Sequence, residues 1–126
     1  MDAQLKRGFL EICVLSVLQK EDSYGYKIIK DLSNFIEMSE STLYPILKRL
    51  EINNCLTVYS IEHNSRLRKY YKITPLGNQK IDEFLIEWKA VMEVYEIIKE
   101  NQKQNDNLEL NQTILQEEQG GETEHE

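Results

Sequence analysis

The sequence predicts a mainly α fold with one small β-hairpin, a winged helix-turn-helix followed by a long C-terminal helix. Three observations predict it. Apolar residues recur at three- and four-residue intervals in four separate stretches, the mark of amphipathic helices. Two short runs of β-formers, 56–61 and 68–74, stand between the third and fourth stretches with a polar tip between them. The fourth stretch is much longer than the others and opens on Thr74-Pro75, a helix N-cap with proline at the first helical position.

In the first helix Leu5, Phe9, Ile12, Leu15 and Leu18 mark an apolar line over about fifteen residues, and Val14 and Val17 widen it so that two sides bury. Asp22 and Ser23 are good N-caps for a second helix over 24–32, which buries Tyr24, Ile28 and Leu32. Gly25 inside it costs roughly 1 kcal/mol of helix propensity, which close approach of a neighbouring backbone would offset. A turn follows over 33–38. Ser39 then caps a third helix reaching about Asn53, with Leu43, Leu47 and Leu50 as its core stripe. Ser41, Tyr44, Pro45 and Lys48 fall at positions i, i+3, i+4 and i+7, one continuous outward face that the core does not need. Pro45 stands near the first turn, where its missing N–H does least harm. Asn53-Asn54 tolerates left-handed geometry and stops the helix.

The two strands form a hairpin whose tip is Glu62, His63, Asn64, Ser65, Arg66 and Leu67. Alternation puts Tyr71 and Ile73 on one face of the second strand, and Arg68, Tyr70 and Lys72 on the other. In the last helix Ile81, Leu85, Trp88, Met92 and Tyr95 keep a four-three rhythm, flanked by Phe84, Val91 and Ile98. About 25 helical residues extend roughly 38 Å, more than a small body covers, so the stripe asks for a partner helix, most simply from an identical subunit. After Lys99 the chain turns to Asn, Gln and Glu, a composition that predicts a disordered acidic tail. The organisation read from sequence is thus a DNA-binding domain over 1–74, a dimerisation helix over 75–104 and a tail over 105–126.

Charge placement supports a nucleic-acid partner. The net charge of −7 arises wholly beyond residue 99: residues 1–99 hold 14 basic and 14 acidic side chains, and the remainder holds one lysine against eight acids. Between positions 48 and 72, Lys48, Arg49, Arg66, Arg68, Lys69 and Lys72 face only Glu51 and Glu62, a local excess suited to phosphates. The acidic tail is open to two readings, a solubilising extension and a competitor of DNA for the basic face. His63 reads as a solvated loop residue and His125 as part of the tail.

Other classes find little support. No nucleophile–base pair, phosphate loop or metal-ligand spacing stands in the sequence, so no catalytic residue, metal or cofactor is expected. Cys13 and Cys55 lie far apart and read as reduced packing residues. The N-terminal residues lack a signal-peptide layout and no apolar run is long enough for a bilayer, so a cytoplasmic protein without membrane contact is expected. A winged helix that binds proteins without touching operator DNA is the rival reading.

Three segments sharpen the expectation: Tyr24-Gly25-Tyr26-Lys27-Ile28, Ser41-Thr42-Leu43-Tyr44-Pro45-Ile46-Leu47-Lys48-Arg49-Leu50, and Arg68-Lys69-Tyr70-Tyr71-Lys72-Ile73-Thr74 with Gly77. In this order and spacing, over about residues 5–99, the chain resembles the PadR-type regulators. The resemblance implies a homodimeric repressor acting at imperfect palindromes of double-stranded operator DNA. It assigns Ser41, Thr42, Tyr44, Pro45, Lys48 and Arg49 to the reading helix or its margin, and Arg68 and Lys69 to the wing, where Arg66 beside them at the tip also suits phosphate or minor-groove contact by its charge. With a single C-terminal helix, the sequence is similar to the short, multidrug-binding form of the family, in which a tryptophan from each subunit flanks a cavity between protomers. Trp88 stands at the matching place, with Ile12 and Met92 lining the same cavity, so a small apolar or aromatic effector is implied. An aromatic on a helical stripe also serves dimer packing, and both roles remain open for Trp88. Met92 stands where the drug-binding form carries an acid, so a preference for cationic compounds does not carry over. The wing tip lacks the glycine that many members have there, which leaves its geometry open.

Overall fold

Leucine-rich stripes decide the architecture. In the computed structural model of the chain, which describes residues 2–124 and side chains through 118, the order is α1 (Ala3–Lys20), α2 (Gly25–Leu32), α3 (Glu40–Ile52), β1 (Leu56–His63), β2 (Arg66–Ile73) and α4 (Pro75–Glu124). This is the winged helix-turn-helix with a long last helix that the periodicities predict. The chain divides into two compact units, Met1–Leu85 and Ile86–Glu126.

In the first unit α1, α2 and α3 pack against one another around Val14, Leu15, Leu18, Ile28, Leu32, Leu43, Leu47 and Leu50, all essentially inaccessible. The predicted core stripe of α3 is therefore the buried one, and in α2 Ile28 and Leu32 are buried as predicted, whereas Tyr24 precedes the helix and is only half-buried, its ring lying under Arg68. Leu5 departs from its stripe and stands 52% exposed near the start of α1. Inside the α1 stripe, Glu11 is buried as deeply as its apolar neighbours, at 8% exposure.

The hairpin is antiparallel from Leu56↔Ile73 to His63↔Arg66, two residues longer at the tip on each side than the sequence suggests. Only Asn64 and Ser65 turn the corner, with φ of 50° and 64°. Two left-handed residues in a two-residue loop match the twist of the flanking strands, as in type I′ turns. Asparagine takes this conformation readily; serine takes it at a cost. The absent glycine thus leaves the wing tight rather than loose. A third piece of chain joins the sheet edge: Ser23 and Tyr71 exchange both backbone hydrogen bonds, at 3.1 and 2.7 Å. Ser23 is consequently spent on this bridge, and Tyr24, not Ser23, is the N-cap of α2.

Two junctions fix where the wing leaves the helices. At the end of α3, Asn54 is left-handed (φ 62°), its N–H donates to Glu51 O and the Cys55 N–H donates to Leu50 O, a Schellman closure with Cys55 and Leu50 both in the core. At the start of α4, Thr74 Oγ1 accepts from the Gly77 N–H at 3.1 Å and donates to Asn54 O at 2.7 Å, so one side chain caps α4 and ties it to the end of α3. A Cβ on Gly77 would stand 2.3 Å from Cys55 O, which is why glycine is needed there.

The second unit is helical. Ile86, Val91, Val94, Tyr95, Ile97 and Ile98 are all more than half exposed, Met92 is 43% exposed, and Trp88 is half-buried. Where the sequence reading ends the helix at 104 and expects disorder over 105–126, the structure carries α4 on to Glu124. No proline interrupts the segment. Side chains one turn apart also support it: Gln102 donates to Asp106, Asn105 to Glu109, and Thr113 to the Glu109 carbonyl. His125 lies outside the described residues.

Candidate nucleic-acid interface

The outer face of α3 is built by subtraction, since Leu43, Ile46, Leu47 and Leu50 turn inward and leave Ser41, Thr42, Tyr44, Pro45 and Lys48 exposed. Ser39 caps the helix through its Oγ, which accepts from the Thr42 N–H and lies 2.9 Å from Ser41 Oγ and 3.1 Å from Thr42 Oγ1. Three hydroxyls therefore cluster at the positive end of the helix dipole, where anions and polar base edges are favoured partners. Pro45 lacks the N–H that would donate to the Ser41 carbonyl four residues earlier.

Tyr44 is 47% exposed, and its ring lies over Gly25 at the start of α2. A Cβ on Gly25 would meet Tyr44 Oη at 2.6 Å and Cζ at 3.1 Å. The close approach that the sequence suggests for Gly25 is real, but the neighbour is this phenol and not a backbone. Gly25 is thus the floor on which a reading-face side chain rests.

The wing continues the surface. Lys48 of α3 and Lys69 of β2 border one concavity with Tyr44, Glu51, Val58 and Tyr71, so a cation from each element faces the same space. A neighbouring groove is walled by Tyr24, Tyr26, Tyr44, Arg68 and Lys69. Arg66 stands exposed beside the turn. Arg68 is held more firmly than the sequence suggests: its guanidinium lies 4.1 Å above the Tyr24 ring. Tyr24 meets Tyr70 edge-on at 5.5 Å, and Tyr70 stacks on Tyr59 at 5.6 Å. Tyr59 in turn donates to Asp22 at 2.6 Å, a bond that pushes its phenol up to about 12. This ladder stiffens the outer face of the hairpin, and a stacked guanidinium keeps its in-plane N–H groups for phosphate.

Arg49 stands at the margin of this face, bordering a shallow depression with Ser41, Thr42 and Pro45, while its side chain is drawn toward α1. It is half-buried, and its Nε donates to Glu11 Oε1 at 3.0 Å on the side facing α1. The sequence missed this because Glu11 falls within an apolar stripe and has no local partner. It also missed Tyr26, 67% exposed on α2, and the Tyr24–Tyr70–Tyr59 ladder, although aromatic clustering around Tyr24 was a usable signal.

Of the proposed effector residues, Ile12 lies in the core of the first unit at 9% exposure. Trp88 and Met92 stand one turn apart on α4 in the second. Cys13 and Cys55 are free and buried, and burial pushes the Cys13 thiol up. Among the described residues no group of histidine, cysteine and carboxylate side chains is arranged to hold a metal ion, and no helix is long and apolar enough to cross a membrane.

Known proteins share this arrangement. Residues 14–83 match the family described as Transcriptional regulator PadR-like family. An uncharacterized protein of Lysinibacillus sphaericus is 33% identical over 99 residues, covering 75% of this chain and 91% of that one. The X-ray structure of a PadR-like transcription factor from Bacteroides fragilis superposes with a TM-score of 0.70 at 35% identity, over 76% of this chain and 95% of that one. Bacillus subtilis PadR, solved in complex with operator DNA, superposes with a TM-score of 0.59 at 26% identity, over 62% of this chain and 47% of that one. With more than half of its length matched by the family and its winged helix shared with these relatives, the chain belongs to the PadR-like family of transcriptional regulators.

Proposed function

We propose that this regulator binds operator DNA directly through α3 and the wing, as a homodimeric cytoplasmic repressor and not as an enzyme. The observation that carries the reading is the continuity of the exposed Ser41, Tyr44, Pro45 and Lys48 face with the basic wing, joined where Lys48 and Lys69 face one space. The α3 face lies in the major groove, where the four base pairs are distinguishable, and Arg66, Arg68 and Lys69 bind the flanking backbone. The operator-bound Bacillus subtilis relative supports this direction.

Residues 1–74 form the DNA-binding part and residues 75–104 of α4 the dimerisation segment. The exposed apolar side chains of α4 support dimerisation, since a helix with Val91, Val94, Tyr95 and Ile98 open to water gains by covering them with a second copy. An imperfect palindrome is the operator such a dimer fits. A small apolar or aromatic effector stacking on Trp88 beside Met92 lifts repression.

Affinity for duplex DNA as a function of salt tests the reading. Lys48, Arg66, Arg68 and Lys69 from each of two protomers neutralise about eight phosphates, so log K falls against log salt with a slope of about −7. Duplex affinity that stays millimolar at low salt contradicts it and favours a winged helix that binds proteins instead. Sedimentation tests the dimer, which a concentration-independent monomer would refute. Trp88 is the single tryptophan, so its fluorescence titrated with planar aromatics reports the effector; a flat response across a diverse panel assigns it to packing.

A further inference from the structure

Glu11 sits in the middle of α1 at 8% exposure, where a lone carboxylate is strongly disfavoured. It is not alone. Oε1 accepts from Arg49 Nε at 3.0 Å and Oε2 accepts from Lys80 Nζ at 2.9 Å. Each oxygen thus takes a cation from a different helix, and α1, α3 and the first turns of α4 meet on one carboxylate.

The leucines of α3 determine which side of the helix faces the core, but apolar contacts have no direction and tolerate a small rotation. A charged hydrogen bond does not. A rotation of about 10° about the helix axis moves a side-chain tip some 5–6 Å from the axis by about 1 Å. That is enough to take a donor out of hydrogen-bond range of a base edge. Arg49 follows Lys48 directly and lies one turn beyond Pro45, so a clamp on Arg49 is a clamp on the reading face.

We propose that Glu11 is a positioning residue for the DNA-reading helix: by bridging Arg49 and Lys80 it fixes the rotation of α3 against α1 and the start of α4. It thereby sets the register in which Ser41 and Tyr44 meet base edges and Lys48 meets the backbone beside them. The inference rests on the reading of α3 as the DNA-contacting helix. It makes Arg49 an internal anchor instead of a phosphate contact, and it gives Lys80, on α4, a part in sequence discrimination.

The test compares two probes at one salt concentration, a duplex selected by the wild-type protein from a random pool and a random-sequence duplex of the same length. Glu11→Gln, Arg49→Gln and Lys80→Gln are each checked for folding by thermal melting. The expected result is a loss of about tenfold on the selected duplex, with random-duplex affinity within about twofold of wild type and the salt slope unchanged. A parallel loss on both duplexes, which an inactive fraction produces, overturns the proposal, as does unchanged affinity for the selected duplex. A shallower salt slope for Arg49→Gln also overturns it, because that marks a phosphate contact. Should Glu11→Gln fail to fold, the other two variants carry the comparison, since each leaves Glu11 one cation. Failure of the underlying reading looks different: the wild-type protein itself then selects no duplex.

Discussion

Gly25→Ala separates what holds the fold from what reads DNA. The added Cβ would lie 2.6 Å from Tyr44 Oη and 3.1 Å from Cζ, against a comfortable separation of about 3.5 Å, so the phenol has to move by about 1 Å. Nothing else does. Tyr44 is 47% exposed, so its ring swings toward solvent at little expense in packing. Alanine in place of glycine meanwhile gains up to about 1 kcal/mol of helix propensity, less at this first helical position. The two effects nearly cancel, and stability changes by less than about 1 kcal/mol. On DNA the displaced phenol loses its contact, worth about 1–3 kcal/mol, or roughly tenfold or more in affinity. The assay pairs a melting curve with fluorescence anisotropy on a selected duplex, and adds Tyr44→Ala in both backgrounds. Tyr44→Ala weakens binding in the parent and adds little to Gly25→Ala, because both changes remove the same contact. Undiminished affinity of Gly25→Ala, or full additivity of the two changes, refutes the reasoning; a loss of several kcal/mol in stability shows that Gly25 serves the fold and not the reading face.

Further outcomes follow from particular contacts. Gly77→Ala meets a rigid neighbour, the Cys55 carbonyl that already accepts from the Thr74 N–H, and is expected to destabilise by about 2–3 kcal/mol, a melting-point drop of about 10 °C; an unchanged melting point contradicts this. Ser65→Gly places the residue preferred in a type I′ turn at φ 64° and is expected to stabilise by about 0.5–1 kcal/mol, which calorimetry resolves; lower stability would mean that the serine side chain contributes more than its strain costs. Burial raises the Glu11 carboxyl, but hydrogen bonds from Lys80 and Arg49 and their charges outweigh it and hold the group below its ordinary 4.5. Between that value and the lowered folded one, the unfolded chain binds a proton that the folded chain refuses. The ion pair's stabilisation is therefore present above 4.5 and lost as pH falls through the folded pKa. In that window the wild type loses stability with falling pH more steeply than Glu11→Gln, and parallel curves would contradict the assignment.

Much of this was legible in the residues because it depends on local periodicity. Leu43, Leu47 and Leu50 locate the buried side of α3 and so define Ser41, Tyr44, Pro45 and Lys48 as its outer face without reference to any other element. Asn53-Asn54 and Thr74-Pro75 mark real helix ends for the same reason. What was not legible depends on partners distant in sequence. Arg49 reads as one more base beside the interface until Glu11, 38 residues earlier, is seen to hold it. Gly25 reads as a flaw in a helix until Tyr44 arrives above it. Ser23 reads as a helix cap, yet its backbone is claimed by Tyr71. The helix beyond 104 was missed for a different reason: its polar composition resembles a disordered segment, while its side-chain pairs one turn apart favour helix.

The outer face of α3 is the surface on which direct DNA binding depends most. The most direct measurement is the affinity of Tyr44→Ala/Lys48→Ala for a duplex selected by the wild-type protein, with melting and sedimentation as controls on fold and assembly. The expected result is a loss of at least about a hundredfold, from one base-edge contact and one phosphate contact per protomer, with the melting point and sedimentation unchanged. Wild-type affinity in the folded double variant would place the DNA-contacting surface away from α3.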